Sequence, residues 1–398
     1  MRRNAFTSAL ATDQLMGAWL DISKRASPRS RNTVGADGQS IADFQLDAKS
    51  RVARLTRELR SGNFRFDPLR PHLVPKPNGK DRLICIPTVR DRIVQRALLN
   101  FLADRYDAKL ANKISYGFIR NRGVKKAAAD ACVLRASHRW VFKTDIASFF
   151  DRIDRDQLRR SLTRIVRERS LHAILFEAMS CEIEATRRNQ QKRIAQLGIK
   201  NGKGLRQGMP LSPFFSNVML ADFDRSIQAN GLAAVRYADD LIFFADSRDE
   251  CMDLAAFCVG QLRLIGLEVP PIGPGSKSVI YEPEEPAEFL GVSLVPSGGQ
   301  YQLELAKEQK DRIRDEMLAL GSIDQLLARN INLTKLGTVI AQRRNGYLAA
   351  YDMCKNVGTL DSALSDIEQR VLRKIYQEGL NIDLGKLSPS ARTFIGLK

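Results

Sequence analysis

The chain has 398 residues, 44% of them hydrophobic and 27% charged, a composition that excludes a disordered chain and leaves room for more than one lobe. Its 63 Lys and Arg against 45 Asp and Glu give a net charge of +18, which points to a polyanionic partner, most simply a nucleic acid. No apolar run approaches the ~18 residues of a membrane span, and the basic start Met1-Arg2-Arg3-Asn4 leads into no apolar segment, so no membrane partner and a cytoplasmic location are expected.

The first patterned stretch is Gly35-Ala36-Asp37-Gly38-Gln39-Ser40-Ile41, a turn followed by a helix start. Ser40 reads as N-cap with Asp43 at the third position, and Ile41, Phe44, Val52, Leu55 and Leu59 supply one apolar face before Gly62 stops the helix. Leu73-Val74-Pro75-Lys76-Pro77-Asn78-Gly79-Lys80-Asp81-Arg82-Leu83 then reads as a hairpin turning at Asn78-Gly79. Lys76, Lys80 and Arg82 surround its tip, as suits a triphosphate and equally an ordinary solvated edge. Thr88 and Asp91 cap a helix through Ile93 and Leu102, and a basic loop around Ser115-Tyr116-Gly117-Phe118 precedes a small-residue helix from Val124 to Leu134.

Trp140-Val141-Phe142-Lys143-Thr144-Asp145 reads as a buried strand ending in an acid, which is costly unless that acid binds a cation or is paired. A helix marked by Leu158, Leu162 and Ile165 follows, its other face carrying Arg155, Arg159, Arg160 and Arg164. That basic character continues to Lys203 and suits contact with a nucleic-acid backbone. Gln207-Gly208-Met209-Pro210-Leu211-Ser212-Pro213 is a rigid loop in which Ser212 caps the next helix. Val235-Arg236-Tyr237-Ala238-Asp239-Asp240-Leu241-Ile242-Phe243-Phe244 reads as a hairpin whose turn carries two acids. Side chains alternate faces along such a segment, so one acid should face the chemistry and the other support it. A solvated turn is the other reading. Ser247 and Glu250 open a helix ending near Gly266, and Phe289-Leu290-Gly291-Val292 begins another strand. The remainder reads as helical, in segments 307–320, 323–331, 336–353 and 360–377. The six cysteines include no Cys-x-x-Cys and there are three histidines, which argues against a zinc site or a disulfide framework. Cys251 and Cys258 suit core positions on their helix.

If the strands carrying Asp145 and Asp239-Asp240 are neighbours, three carboxylates converge. Hard oxygen ligands without His or Cys select Mg²⁺ or Mn²⁺, and two such ions roughly 3.5–4 Å apart serve an in-line phosphoryl displacement.

The ordered set of motifs resembles reverse transcriptases, most nearly the bacterial group II intron type. The matching segments are Gly35–Ile41, Pro75–Gly79, Ile86–Arg92, Ser115–Phe118, Asp145–Asp151, Gln207–Pro213, Tyr237–Asp240 and Phe289–Val292. The resemblance implies an α+β right-hand polymerase fold with a palm of antiparallel sheet plus helices. Its implied divisions are an N-terminal extension (1–66), fingers (67–140), a palm (141–300) with a basic helical insertion at about 155–203, and a helical thumb or maturase-like region (301–398). It further implies that Asp145 and Asp239 are catalytic metal ligands, with the Ile146 carbonyl alongside and Asp240 in support, holding two Mg²⁺ or Mn²⁺ ions. Lys76 and Arg82 would hold the incoming dNTP, and Gln207 would lie near its sugar and the template. Phe150 would be the ring that excludes a ribose 2′-hydroxyl, and Lys277 would lie near the leaving pyrophosphate. Implied partners are an RNA template, a DNA primer or product, and dNTPs.

The sequence carries no Cys/His-rich nuclease signature after the thumb, no Asn-Ala-x-x-His or Val-Thr-Gly signal of retron enzymes, and no Ser-Gln form of the Gln207-Gly208 motif. A free-standing enzyme copying a dedicated non-coding RNA in antiviral defence is therefore expected. The alternatives are an intron maturase acting mainly in RNA binding and splicing, and protein-primed or template-independent synthesis with Tyr301, Tyr347, Tyr351 and Tyr376 as candidate hydroxyls.

Overall fold

The computed structural model describes residues 4–75, 79, 81–110 and 112–397, with Arg29 described by its backbone alone. Among the described residues, nine strands interrupt a mostly helical chain: β1 Arg70–Pro75, β2 Asp81–Ile86, β3 Trp140–Asp145, β4 Ala234–Tyr237, β5 Asp240–Ala245, β6 Val279–Tyr281, β7 Ala287–Phe289, β8 Val292–Ser297 and β9 Gln300–Leu305. They form sheets of order β1-β2, β4-β5-β3-β6 and β7-β8-β9. The pairs β1–β2, β4–β5, β7–β8 and β8–β9 are antiparallel. This is the expected α+β class. Two compact units emerge: one of the chain up to Gly123 with Thr144–Phe243 and Met252–Val279, the other of Val124–Lys143, Phe244–Cys251 and the chain from Ile280.

In the first unit the expected Ser40–Gly62 helix is two helices, Ile41–Gln45 and Ala48–Arg60. The capping box forms as read, with Asp43 N–H on Ser40 Oγ (3.1 Å) and Ser40 N–H on Asp43 Oδ2 (2.9 Å). The break lies at Asp47, whose backbone (φ −144°, ψ 50°) is not helical. Hairpin β1–β2 pairs Pro75 with Asp81, the two arms expected on either side of Asn78-Gly79. Lys76, Asn78 and Lys80 lie outside the described residues.

The hairpin's inner face joins a core of Leu69, Leu83, Cys85, Cys181 and Met209, against which Ile194, Leu197 and Ile199 pack. The basic stretch 155–203 is therefore partly committed to protein contacts. Arg193 forks onto Asp81 (2.6–2.9 Å), and Gln190 Nε2 donates to the Pro71 carbonyl (2.9 Å). Arg155, expected on the basic outer face of its helix, is buried. Ser212, expected to cap its helix, instead lies within the helix Ser212–Ala229 and donates to the Arg206 carbonyl (2.9 Å).

Thr88 starts the helix Val89–Leu110 as expected, its Oγ1 accepting the Asp91 N–H (3.3 Å). The Asp91 carboxylate turns inward to accept the Asp67 N–H (2.9 Å) at 1% exposure. Burial, reinforced by the Asp67 charge, pushes this carboxyl up to about 7. An acid raised in the fold is neutral in both states below about pH 4, and costs stability as pH climbs from there to about 7. Asp91→Asn can keep the Asp67 contact through its amide oxygen. Its unfolding free energy should exceed the parent's at pH 8, by up to about 4 kcal/mol, and match it near pH 4. Denaturant melts at the two pH values check this, and equal gaps at both would refute it.

In the second unit, Arg135 of the helix Val124–Ser137 is fully buried and donates to the carbonyls of Leu294 (2.7 Å), Glu282 (2.9 Å) and Glu285 (2.6 Å). Phe289-Leu290-Gly291-Val292 does not begin a strand but turns one: Phe289 pairs with Val292, and Leu290 and Gly291 take φ of 53° and 81°. Positive φ at both central residues is what a two-residue hairpin joining twisted strands demands. Strand β9 runs to Leu305, and the helical region starts at Lys307, where the 307–320 segment is expected to begin. Its main helices are Lys307–Leu318, Leu333–Ala350 and Val357–Lys374, close to the expected segments.

Candidate active site

Strands β3 and β5 are neighbours in the four-stranded sheet, which brings Asp145 and Asp239 together. The Ile146 N–H donates to the Asp239 carbonyl (3.1 Å), locking the end of β3 to the β4–β5 turn. Tyr237 pairs with Asp240, leaving Ala238 and Asp239 as the two-residue turn. Ala238 holds φ 57°, a left-handed conformation that costs a non-glycine residue about 1–2 kcal/mol.

That strain is held by a buried polar network. Arg236 donates through Nη1 to the Ala238 carbonyl (3.0 Å) and grips Asp224 with Nε (2.6 Å) and Nη2 (2.5 Å). Its Nη2 also reaches Ser115 Oγ (2.8 Å). Segment Ile114–Tyr116 runs along β4, exchanging backbone bonds with Arg236 (2.6 and 2.8 Å). Gly117 then lies directly against the turn, where any Cβ would overlap the Ala238 backbone. Asn217 Nδ2 donates to the Gly117 carbonyl (3.0 Å). Sequence reading assigned no role to Arg236, Asp224 or Asn217. The available signal was an arginine inside an apolar strand, a charge that burial obliges to find a partner.

Asp145 is buried at the end of β3, and the Lys277 ammonium sits on its Oδ2. Ser278 Oγ and Thr144 Oγ1 share a hydrogen bond (2.7 Å), which fixes Lys277 beside Asp145. Burial raises the Asp239 carboxyl above its ordinary range, the Asp145 charge adds to this, and Lys277 and Arg82 pull it back. Four expected residues thus act on one another in a single electrostatic site: Asp145, Asp239, Lys277 and Arg82. Asp240 opens β5 next to Asp239. Among the described residues no group of three or more His, Cys, Asp or Glu gathers as a metal cage. Two carboxylates without nitrogen or sulfur donors still fit a hard divalent ion, which commonly takes one or two carboxylates and completes its shell with water and substrate phosphates. The ammonium resting on Asp145 shows the same site attracting a cation.

Phe150 is half-buried in the short helix Phe149–Arg152, its ring edge-on to Phe149 at 5.2 Å. Gln207 follows on the adjoining segment, its carbonyl accepting the Cys85 N–H (2.7 Å) from β2. Gly208, at φ 108°, passes so close to the Cys85 carbonyl that a side chain there would collide with it. The loop carrying Gln207 is thereby fastened to the strand carrying Arg82.

The family model for reverse transcriptase (RNA-dependent DNA polymerase) matches residues 74–294, more than half the chain. The chain belongs to the reverse transcriptase family. It is 29% identical over 223 residues to Protein YkfC of Escherichia coli K12, covering 54% of this chain and 56% of that protein. It is 27% identical over 187 residues to the retron Ec83 reverse transcriptase of Escherichia coli, covering 44% and 52%. The group II intron-encoded protein LtrA of Lactococcus lactis is 24% identical over 196 residues, covering 48% and 31%. The chain thus spans about half or less of these relatives' lengths. The region matched by the reverse transcriptase model contains all of the expected site residues, from Lys76 to Lys277.

The candidate priming tyrosines are largely engaged. Tyr301 donates to the Pro283 carbonyl (2.9 Å), Tyr376 to the Ile395 carbonyl (2.9 Å) and Tyr347 to Glu316 (2.5 Å). Burial and the Glu316 carboxylate push the Tyr347 hydroxyl up to about 12. No helix among the described residues is long and apolar enough to cross a membrane, and the six cysteines are free thiols, with Cys251 and Cys258 in the core as expected.

Proposed function

We propose that the chain is an RNA-directed DNA polymerase that extends a DNA primer on an RNA template, releasing pyrophosphate from each dNTP. The observation that carries this is the meeting of Asp145 and Asp239 with Lys277 and Arg82 in a member of the reverse transcriptase family. In this reading Asp145 and Asp239, with the Ile146 carbonyl alongside and Asp240 in support, hold divalent ions. Two Mg²⁺, with Mn²⁺ as substitute, would supply charge stabilisation to the attacking and leaving oxygens. Arg82 and Lys76 bind the triphosphate, Lys277 serves the leaving pyrophosphate, and Gln207 meets the nucleotide near its sugar. Phe150 excludes the 2′-hydroxyl. The parts carrying these residues take the names fingers and palm, with the helices from Lys307 as thumb.

The net charge of +18 supports a long polyanionic template. The narrower proposal is that this template is a dedicated non-coding RNA serving antiviral defence, which sequencing of the RNA bound to the purified protein and of the DNA it makes would test. For the activity itself, the test is primer extension on a defined RNA with dNTPs. Product should require the RNA template, a divalent ion and dNTPs. Absence of product on any primed RNA, or product still made after the purified protein has been completely treated with RNase and no template added, would overturn the reading.

A further inference from the structure

The two segments proposed to meet the nucleotide sugar are joined by one carboxylate, that of Glu182. Its Oε1 accepts from Arg155 Nη1 (2.6 Å) and from the Gly202 N–H (2.8 Å), and its Oε2 accepts from Arg206 Nη2 (2.6 Å). Arg155 lies five residues after Phe150, and Arg206 immediately precedes Gln207. Both guanidiniums are buried, so each depends on a charged partner to remain there.

The rest of the contact follows from this junction. Arg155 Nε donates to the Gly204 carbonyl (2.9 Å), and Arg206 Nη2 also donates to the Lys200 carbonyl (2.9 Å). The Gly204 N–H meets the Ile153 carbonyl (2.8 Å), and the Leu205 N–H meets that of Phe150 itself (2.7 Å). Gly204, at φ 76°, admits no side chain: a Cβ would stand 2.7 Å from the Asp151 carbonyl oxygen and 2.8 Å from that of Phe150. Glu182 is anchored from behind, its own carbonyl accepting the Leu69 N–H (2.8 Å) beside β1.

We propose that Glu182, acting through Arg155 and Arg206, is a positioning residue that sets the distance between Phe150 and Gln207 and thereby the discrimination between deoxyribonucleotides and ribonucleotides. The inference rests on the reading of Phe150 as the ring facing the sugar. The physical basis is leverage: a ring excludes one hydroxyl only while its backbone is held, and displacements of about 1 Å at such sites cost up to roughly a hundredfold in rate.

The test is single-nucleotide incorporation by the full chain on a primed RNA template, comparing kcat/KM for a dNTP with that for the matching rNTP. That ratio is independent of the active fraction, so partial misfolding does not move it. Phe150→Ala should relax it most. Glu182→Gln, which removes the charge binding both guanidiniums, should relax it roughly tenfold, mainly through a lower KM for the rNTP. Glu182→Asp keeps the charge and should recover part of the discrimination, and it serves if Glu182→Gln does not fold. Parent-like discrimination in both folded Glu182 variants, alongside relaxed discrimination in Phe150→Ala, overturns the role of Glu182 alone. An unchanged ratio in Phe150→Ala overturns the sugar-facing reading and the inference with it, while leaving polymerase activity to its own assay.

Discussion

Asp239→Asn should lower dNTP incorporation by roughly 10³-fold or more, equivalent to about 4 kcal/mol of transition-state stabilisation, whereas Asp240→Asn should cost much less. The substitution is nearly isosteric, and the Ile146 N–H binds the carbonyl of residue 239, not its side chain, so the turn should persist. What is lost is a carboxylate that burial and the nearby Asp145 hold above its ordinary range. Two carboxylates so placed repel each other unless cations lie between or beside them, which is the condition a divalent ion satisfies. Asp239 must be ionised to bind a metal, so protons compete with the divalent ion, and the acid limb of the rate profile should move to lower pH as the ion concentration is raised. Thermal melts establish that both variants fold, and single-turnover incorporation at saturating divalent ion measures the loss. Asp239→Asn within tenfold of the parent would overturn the proposed metal-binding role of Asp239.

The features readable in the sequence were those encoded over a few neighbouring residues. Strand β3 was delimited to the residue because an apolar run ends abruptly in Asp145, and the Tyr237–Asp240 turn because apolar strand formers flank two acids. The Ser40–Asp43 box and the Gly62 stop are likewise local. What escaped depends on partners far along the chain or on backbone that no residue announces. Asp47 breaks a helix without glycine or proline. The apolar look of Phe289-Leu290-Gly291-Val292 concealed a turn, although Gly291 supplied part of the signal. Arg155 resembled its exposed neighbours Arg159 and Arg160 on one basic helix, and only the fold shows Glu182 drawing it inward. Lys277 comes to Asp145 through a hydrogen bond between Ser278 and Thr144, 134 residues apart.

The second large effect is expected at the buried pair behind the turn. Asp224 and Arg236 are each 1% exposed and joined by two hydrogen bonds of 2.5 and 2.6 Å. Asp224→Asn removes the counter-charge and turns an amide N–H toward donors on Arg236 or Asn112, whose Nδ2 also binds Asp224 (2.8 Å). Leaving a buried guanidinium uncompensated typically costs 3–5 kcal/mol, a large share of the ~5–15 kcal/mol that holds a domain together. A denaturant melt should show that loss, and a variant within 1 kcal/mol of the parent would mean the pair carries no such burden. The double variant Asp224→Leu with Arg236→Met separates two roles. Apolar replacement of both partners should restore much of the stability, because no charge is left unpaired. It cannot restore the bond from Arg236 to the Ala238 carbonyl, which holds the turn in its strained conformation. Incorporation should therefore stay impaired in a protein that is stable again. Recovery of both together would reduce Arg236 to a packing residue, whereas stability without activity identifies it as the group that aims Asp239 at the proposed metal site.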